Sequence, residues 1–453
     1  MRWVAALALA LSISTGAAGA AALGPDPASV SGPMSVGRLP GGGAFLVRPT
    51  EGPALAAVEL WYRAPSTGFG TVPVPLLSRV AAQTVAASTP ITGRDLSRVV
   101  ADGGGRLSIN AYPDAISISA LVPASLAPAI VRTMTAVYFT PVISAAGLRR
   151  AQISVTAQTL RDSFDPDAIM RESIFESLFT QGPAHYPAAS QKPDAAKISL
   201  EDVRAYAQRA FRAENAVLVV TGVVHRSIAA SAVPGRAPAG AAETPFDSIV
   251  AASPTPVHKD FYEPGLGLGW LGPPIADERA ATAMDFIADY LTRQNSGTIA
   301  SAVSALDGEA SVFGQFITLH NPGVLVIQIT ASDRSKLDQK KMRSIVDEHI
   351  VALQKPLSPA AFAAARDQFA YHLLSDLQTP LELADNLGWY TVEGDALYAP
   401  TVNGQRGAYF AAIAALTPQI IADVARKYLA VPGAVVALSV PTPAPAASPK
   451  GTP

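Results

Sequence analysis

The sequence predicts an α+β protein of two duplicated lobes, each an antiparallel-containing sheet backed by helices. Three observations carry that expectation. First, structural signals recur at a nearly fixed interval. Ser358-Pro359 lies 214 positions after Ser144, Thr379-Pro380 lies 214 after Asp165-Pro166, and Thr417-Pro418 lies 218 after Ser199. Such spacing marks a repeated unit. Second, two kinds of strand occur. Ala115–Val122 (AISISALV) alternates, as a strand with one buried face does, whereas Asn215–Val224 (NAVLVVTGVV) is almost wholly apolar, as a strand covered on both faces is. Third, the composition between His225 and Pro256 shifts to Ala, Pro, Gly and Ser, which reads as an interdomain linker.

The elements follow in order. Residues 23–41 form a loose Pro/Gly/Ala-rich leader. Gly43–Pro49 and Ala57–Arg63 read as strands, the second alternating Val58, Leu60 and Tyr62 with Glu59, Trp61 and Arg63. Thr71–Val85 (TVPVPLLSRVAAQTV) reads as a helix entered through Pro73 and Pro75, with Leu76, Leu77, Val80 and Ala81 on a buried face. Thr92–Val100 reads as a helix capped by Thr92 and closed by Asp102-Gly103-Gly104-Gly105. A hairpin turns at Pro113-Asp114, between Arg106–Tyr112 and Ala115–Val122. Ser125–Tyr138, Ser144–Asp162 and Ser199–Arg212 have helical spacing. The second stops before Asp165-Pro166, and the third opens with Ser199 and Asp202 in capping-box register. In the repeat, the helix from Ser358 ends at Thr379-Pro380, a hairpin runs through Asn321-Pro322, and Gly433–Val440 is the closing strand. The last residues, 443–453, read as a disordered tail.

Composition narrows the function classes. The chain has 453 residues, 49% hydrophobic and 15% charged, with net charge −2. That charge gives no basic face for nucleic acid. With no cysteine, disulfides, thiolate metal sites and a thiol nucleophile are excluded together. Arg2, the apolar run Val4–Ile13 and Ala18-Gly19-Ala20 read as a signal peptide over residues 1–20. The mature chain is therefore expected to be exported, to a periplasm, with no membrane anchor once the signal is removed.

The three most telling stretches are GGGRLSINAYPDAISISALVP, ISLEDVRAYAQRAFRAENAVLVVTGVV and GLGLGWLGPPIADERAATAMDFIADYL. Their order and spacing resemble the insulinase/pitrilysin metallopeptidases, the clan that includes mitochondrial processing peptidase. The match, together with the repeat, spans nearly all of residues 40–442. The resemblance implies a lobe over 40–225, a linker over 226–256 and a lobe over 257–442, closing as a clam-shell around a cavity.

The chemistry of that family is missing from the residues. In its His-x-x-Glu-His motif, two imidazoles bind zinc one helical turn apart and the Glu activates water. The resemblance places Pro75, Leu76, Leu77, Ser78 and Arg79 there, and Gln158 near the third ligand. Pro75, Ser78, Arg79 and Gln158 thus replace every zinc ligand and the base. In the second lobe, Ser304 and Ser311 fall where relatives carry an Arg and a Tyr that hold substrate. Of the six His, at 185, 225, 258, 320, 349 and 372, no two are three to five apart, so no helix presents a pair. His185, in PAHYPAA, resembles a structural family loop. Asp347-Glu348-His349 reads as a solvated helix face. Gly267-x-Gly269-x-x-Gly272 matches a dinucleotide fingerprint as a string. Pro273-Pro274 then denies it a helix N-terminus, which leaves a Gly-rich strand. Asp162, Asp165 and Asp167 read as an acidic helix end rather than a calcium loop.

The expected function is that of a non-catalytic homologue with no cofactor, supporting an active zinc-peptidase paralogue in an exported complex. By the resemblance, peptide or unfolded polypeptide would add to a sheet edge formed by Ser108, Ile109, Asn110, Ala111 and Tyr112. Two other readings remain. One is a stand-alone periplasmic peptide-binding or chaperone-like module. The other is an active zinc endopeptidase whose ligands lie elsewhere.

Overall fold

The computed structural model describes residues 34–88, 94–185, 194–235, 248–331, 337–394, 408–430 and 433–441. The expected signal peptide and tail, the middle of the expected linker and Thr92 lie outside them.

In the first half the elements are β1 (Ser35–Arg38), β2 (Ala44–Pro49), β3 (Leu55–Arg63), α1 (Leu77–Ser88), α2 (Leu96–Asp102), β4 (Arg106–Ala111), β5 (Ala115–Pro123), α3 (Ala127–Phe139), α4 (Ala145–Asp162), α5 (Pro166–Leu178), β6 (Phe179–Gln181), α6 (Leu200–Ala210) and β7 (Ala216–Gly222). The short β8 (Ile249–Val250) pairs with β6. The second half runs β9 (Val257–Asp260), β10 (Gly265–Leu271), α7 (Glu278–Thr292), α8 (Thr298–Leu306), β11 (Ala310–Ile317), β12 (Val324–Ala331), α9 (Gln339–Leu353), α10 (Pro359–Ser375), α11 (Pro380–Glu393), α12 (Ala408–Ala414), α13 (Pro418–Leu429) and β13 (Ala434–Ser439).

Two sheets result, ordered β1-β2-β7-β3-β5-β4 and β11-β12-β10-β13-β9. Without β1 the first reads β2-β7-β3-β5-β4, and the second, reversed, is the same path through the repeat. β2 with β7 and β9 with β13 are parallel, and the other pairs in these two sheets are antiparallel. The duplication read from spacing is a duplication of topology.

Local chemistry sets most boundaries. Ser144 caps α4 by accepting from the Gly147 N–H at 3.0 Å, and Ser199 and Asp202 form the expected capping box on α6. The β4–β5 hairpin turns at Pro113-Asp114 as expected, closed by Tyr112 N–H to Ala115 O at 2.8 Å.

Four expectations need correction. The stretch 23–41, read as a loose leader, contains β1, which pairs antiparallel with β2. The helix expected from Thr71 begins at Leu77, because Leu76 sits at φ 68° and breaks the helical path. The second helix is capped by Asp95, whose side chain accepts from the Arg98 N–H at 2.9 Å. Asp165-Pro166 and Thr379-Pro380, read as stops, are also starts. Asp165 and Thr379 are N-caps and the prolines occupy the first turns of α5 and α11.

Those two helices are exchanged between the lobes. The first sheet buries Val58, Leu60, Tyr62, Ile118, Leu218 and Val220 on the side of α1, α3 and α6. Its other face, with Ala57, Trp61 and Val219, packs against Leu383 and Leu387 of α11. Reciprocally, Val326, Val436 and Leu438 of the second sheet cluster with Ile169, Met170 and Ile174 of α5. Close approach is met in opposite ways. A Cβ on Gly269 of β10 would lie 2.1 Å from Ile174 Cγ2, so the sheet gives way to the helix. A Cβ on Gly388 of α11 would lie 2.0 Å from Trp61 Nε1, so the helix gives way to the sheet. The GLGLG string is therefore packing space under α5, not a phosphate loop.

Candidate functional site

The segment before α1 is held from α6. Tyr206 donates its hydroxyl to Pro65 O at 3.0 Å, the Arg209 guanidinium lies 4.4 Å over the Phe69 ring, and Ser78 N–H donates to Ser66 O at 3.1 Å. Pro75 thus stands in a turn, off the helix that carries Ser78 and Arg79. Ser78 is buried.

α1 and α4 run antiparallel, and two polar rungs join them. Arg79 pairs with Asp162 at 3.6 Å, and Gln83 Nε2 donates to Gln158 Oε1 at 3.0 Å. Burial pushes the Asp162 carboxyl up, and the Arg79 charge holds it down. The groove between the two helices is thus filled by a guanidinium–carboxylate pair and an amide pair. The structure brings Arg79 and Gln158 onto facing helices but leaves Pro75 outside. Gln83, their polar neighbour, gave no signal in the sequence beyond its one-turn spacing from Arg79.

The same helix face is used again in the second half. His372 and Asp376 lie 214 positions after Gln158 and Asp162. There His372 Nδ1 meets Asp289 Oδ2 at 3.0 Å, and Arg293 forks onto Asp376 at 2.7 and 3.0 Å.

These residues do not fit the zinc that the fold implies. A zinc site needs at least three imidazole, thiolate or carboxylate donors converging at about 2 Å. A guanidinium carries its own positive charge and has no free lone pair, a prolyl ring offers none, and an amide is a weak donor. Among the described residues, no group of three or more His, Cys, Asp or Glu could hold a metal ion. The remaining expected residues are separate. Ser304 is exposed on α8, and Ser311 on β11 bonds Thr330 at 2.9 Å. Asp347 and Glu348 pair with Arg343 and Ser344 along α9. Asp165 spends its carboxylate on the N–H groups of Asp167 and Ala168.

The expected binding strand is β4, the end strand of its sheet, with β5 its ladder partner among the described residues. The hairpin bond from Tyr112 to Ala115 and the pairs Asn110↔Ser117 and Ser108↔Ser119 fix its polarity. Even-numbered residues turn their N–H and C=O toward β5. Leu107, Ile109 and Ala111 turn theirs to the open edge. Asn110 Nδ2 reaches Ser117 Oγ at 3.4 Å. The Tyr112 ring stacks 5.8 Å from Trp61 and meets Trp389 edge-on at 4.8 Å, so its place is set by both lobes.

Known proteins share this fold. Residues 197–369 match the family model for the peptidase M16 inactive domain. No curated protein matches the sequence significantly. A protease from Helicobacter pylori superposes with TM-score 0.76 at 15% identity, covering 90% of this chain and 100% of that one. A peptidase M16 inactive domain from Pseudomonas fluorescens gives 0.70 at 17%, covering 90% and 98%. A chain of complex III from Candida albicans gives 0.70 at 13%, covering 89% and 95%. At such identities the likeness is one of fold. No described helix is long and apolar enough to cross a membrane.

Proposed function

From the premise that this chain is a degenerate member of the insulinase (peptidase M16) family, we propose that it is the peptide-binding, non-catalytic subunit of an exported zinc-peptidase complex, partnered by an active paralogue. The single observation that carries the reading is the contrast between two sites on one lobe. The groove that would hold zinc is closed by Arg79–Asp162 and Gln83–Gln158, while β4 keeps an open edge at Leu107, Ile109 and Ala111. Strand addition needs only main-chain donors and acceptors, so loss of the metal chemistry leaves peptide capture intact.

The test is purification from the native host. The expected result is recovery with a homologue that retains His-x-x-Glu-His. A monomer recovered alone, with no peptidase attached, sinks the partnership. The edge has its own test. Ala111→Pro removes one outward N–H from an end strand, where proline is tolerated. It is expected to weaken binding of extended peptides about tenfold, measured by fluorescence anisotropy, with the unfolding midpoint little changed.

A further inference from the structure

α4 is apolar on two opposite sides. Leu148, Ala151, Val155 and Thr159 face inward and are buried. At about 100° per residue, Ile153, Ala157, Leu160 and Phe164 fall on the opposite side. Ile153 is 72% exposed, Leu160 58% and Phe164 61%. Phe164 lies just past the last helical residue, but the turn continues to it. Ser163 N–H donates to Thr159 O at 2.9 Å, and Phe164 N–H donates to Arg161 O at 3.0 Å. The Tyr262 hydroxyl donates to Phe164 O at 2.6 Å and fixes that end. Single exposed apolar residues are ordinary, whereas three large ones in one line mark a contact surface. The lobe itself does not need them. In the repeat, 214 positions on, Ile153 and Phe164 give way to Asp367 and Gln378.

The charges around the stripe select its occupant. Arg149 and Arg150 are exposed and are the only charged residues of α4 before Arg161. Arg150 is steadied there by a bond to Ala87 O. Asp162, Asp165 and Asp167 cluster where the helix ends, against the single Arg161, with Asp162 shared with Arg79. A surface with a basic end, an apolar middle and an acidic end complements itself when turned through a half rotation. An antiparallel copy centred between Gln158 and Thr159 sets Ile153 against the partner's Phe164 and Ala157 against the partner's Leu160. The Leu160 side chain then fills the space above a methyl group, as a ridge fills a groove. The same register carries Arg149 and Arg150 to the partner's acidic end and opposes the two helix dipoles. A parallel copy would set like charge against like. One isologous contact uses the face on both chains, so the assembly closes at two.

We propose that this chain forms a two-fold dimer through the outer face of α4, with Ile153, Ala157, Leu160 and Phe164 of each copy packed antiparallel on those of the other. Burial of the apolar stripe supplies the attraction. The charged ends supply direction and register. The contact is independent of the paralogue, so a complex in the native host would hold two copies of this chain.

The experiment is sedimentation velocity on the full chain at micromolar concentration, where the wild type is expected to run as a dimer. Leu160→Asp puts a charge at the centre of the stripe and is expected to raise the dimer dissociation constant about tenfold or more. Its near-ultraviolet circular dichroism should stay unchanged, because the side chain is exposed in the single chain. Should that variant lose its native spectrum, Ile153→Asp takes its place with the same expectation. The register is read by disulfide cross-linking, which is clean in a chain without cysteine. Chains carrying Ala157→Cys and chains carrying Leu160→Cys are mixed equally and exposed to oxidised glutathione. Mixed disulfide is expected to exceed the share that random pairing gives. A wild type that stays monomeric overturns the proposal. So does a dimer that the charged variants leave intact, or cross-links that favour like positions. A monomer that loses a peptidase partner from the native host on Leu160→Asp overturns it too, and assigns the face to the paralogue.

Discussion

Arg79 carries its charge into the groove between α1 and α4, where Asp162 answers it at 3.6 Å. That single position decides what the groove can do, because a resident cation excludes a second one. Restoring the motif residues is therefore not enough. The triple variant Pro75→His, Ser78→Glu, Arg79→His is expected to bind no stoichiometric zinc by calorimetry at micromolar metal. Position 75 precedes the helix and Leu76 at φ 68° turns it off the face that Arg79 occupies, so the two imidazoles cannot stand one turn apart. Tight zinc binding would overturn this account of the turn. A second residue-scale prediction concerns Asp285, which is half-buried on α7 and accepts from the Tyr409 hydroxyl at 2.6 Å. Burial pushes its carboxyl up to about 7. A carboxyl raised on folding contributes fully below about pH 4 and loses that contribution as pH rises through 7, a change on the order of 4 kcal/mol. Global stability measured with denaturant should fall over that window, and Asp285→Asn should flatten the fall.

The exchanged helices α5 and α11 show how elements set the architecture. Each starts at an acid or hydroxyl cap followed by proline, and each lies on the other lobe's sheet. Their contacts are tight enough to be tested with one methyl group. Gly269→Ala places a Cβ 2.1 Å from Ile174 Cγ2, and is expected to cost about 2–3 kcal/mol by overpacking. Ile174→Ala removes the clashing atom, so the double variant should cost less than the sum of the two single changes. Additive costs in that double-mutant cycle would mean that the helix does not sit where β10 leaves room for it. The caps Ser144 and Ser199, the hairpin at Pro113-Asp114 and the buried strand β7 were legible in the sequence, because each is fixed by residues within a few positions of one another. The starts of α5 and α11 were missed at the same prolines that were recognised. Pro disfavours helix in the residue before it, yet suits the first turn of the next helix, and a reading that stops at the first property overlooks the second.

For the whole molecule, the exchange makes each half incomplete. Residues 34–235 alone would expose Ala57, Trp61 and Val219, which α11 covers. Residues 248–441 alone would expose Val326, Val436 and Leu438, which α5 covers. Each half produced separately is expected to show weak near-ultraviolet circular dichroism and to aggregate, and mixing the two during refolding should restore a cooperative transition. Two halves that fold well on their own would mean that the exchanged helices add little stability. The sequence by itself determined the repeat and the strand alternation, since these depend on residue identity and short spacing. The tertiary structure alone decided two things: which sheet each proline-led helix covers, and that Arg79 meets Asp162. These contacts join residues tens to hundreds of positions apart. Their partners are chosen by how two curved surfaces fit once water is excluded, and no local pattern records that.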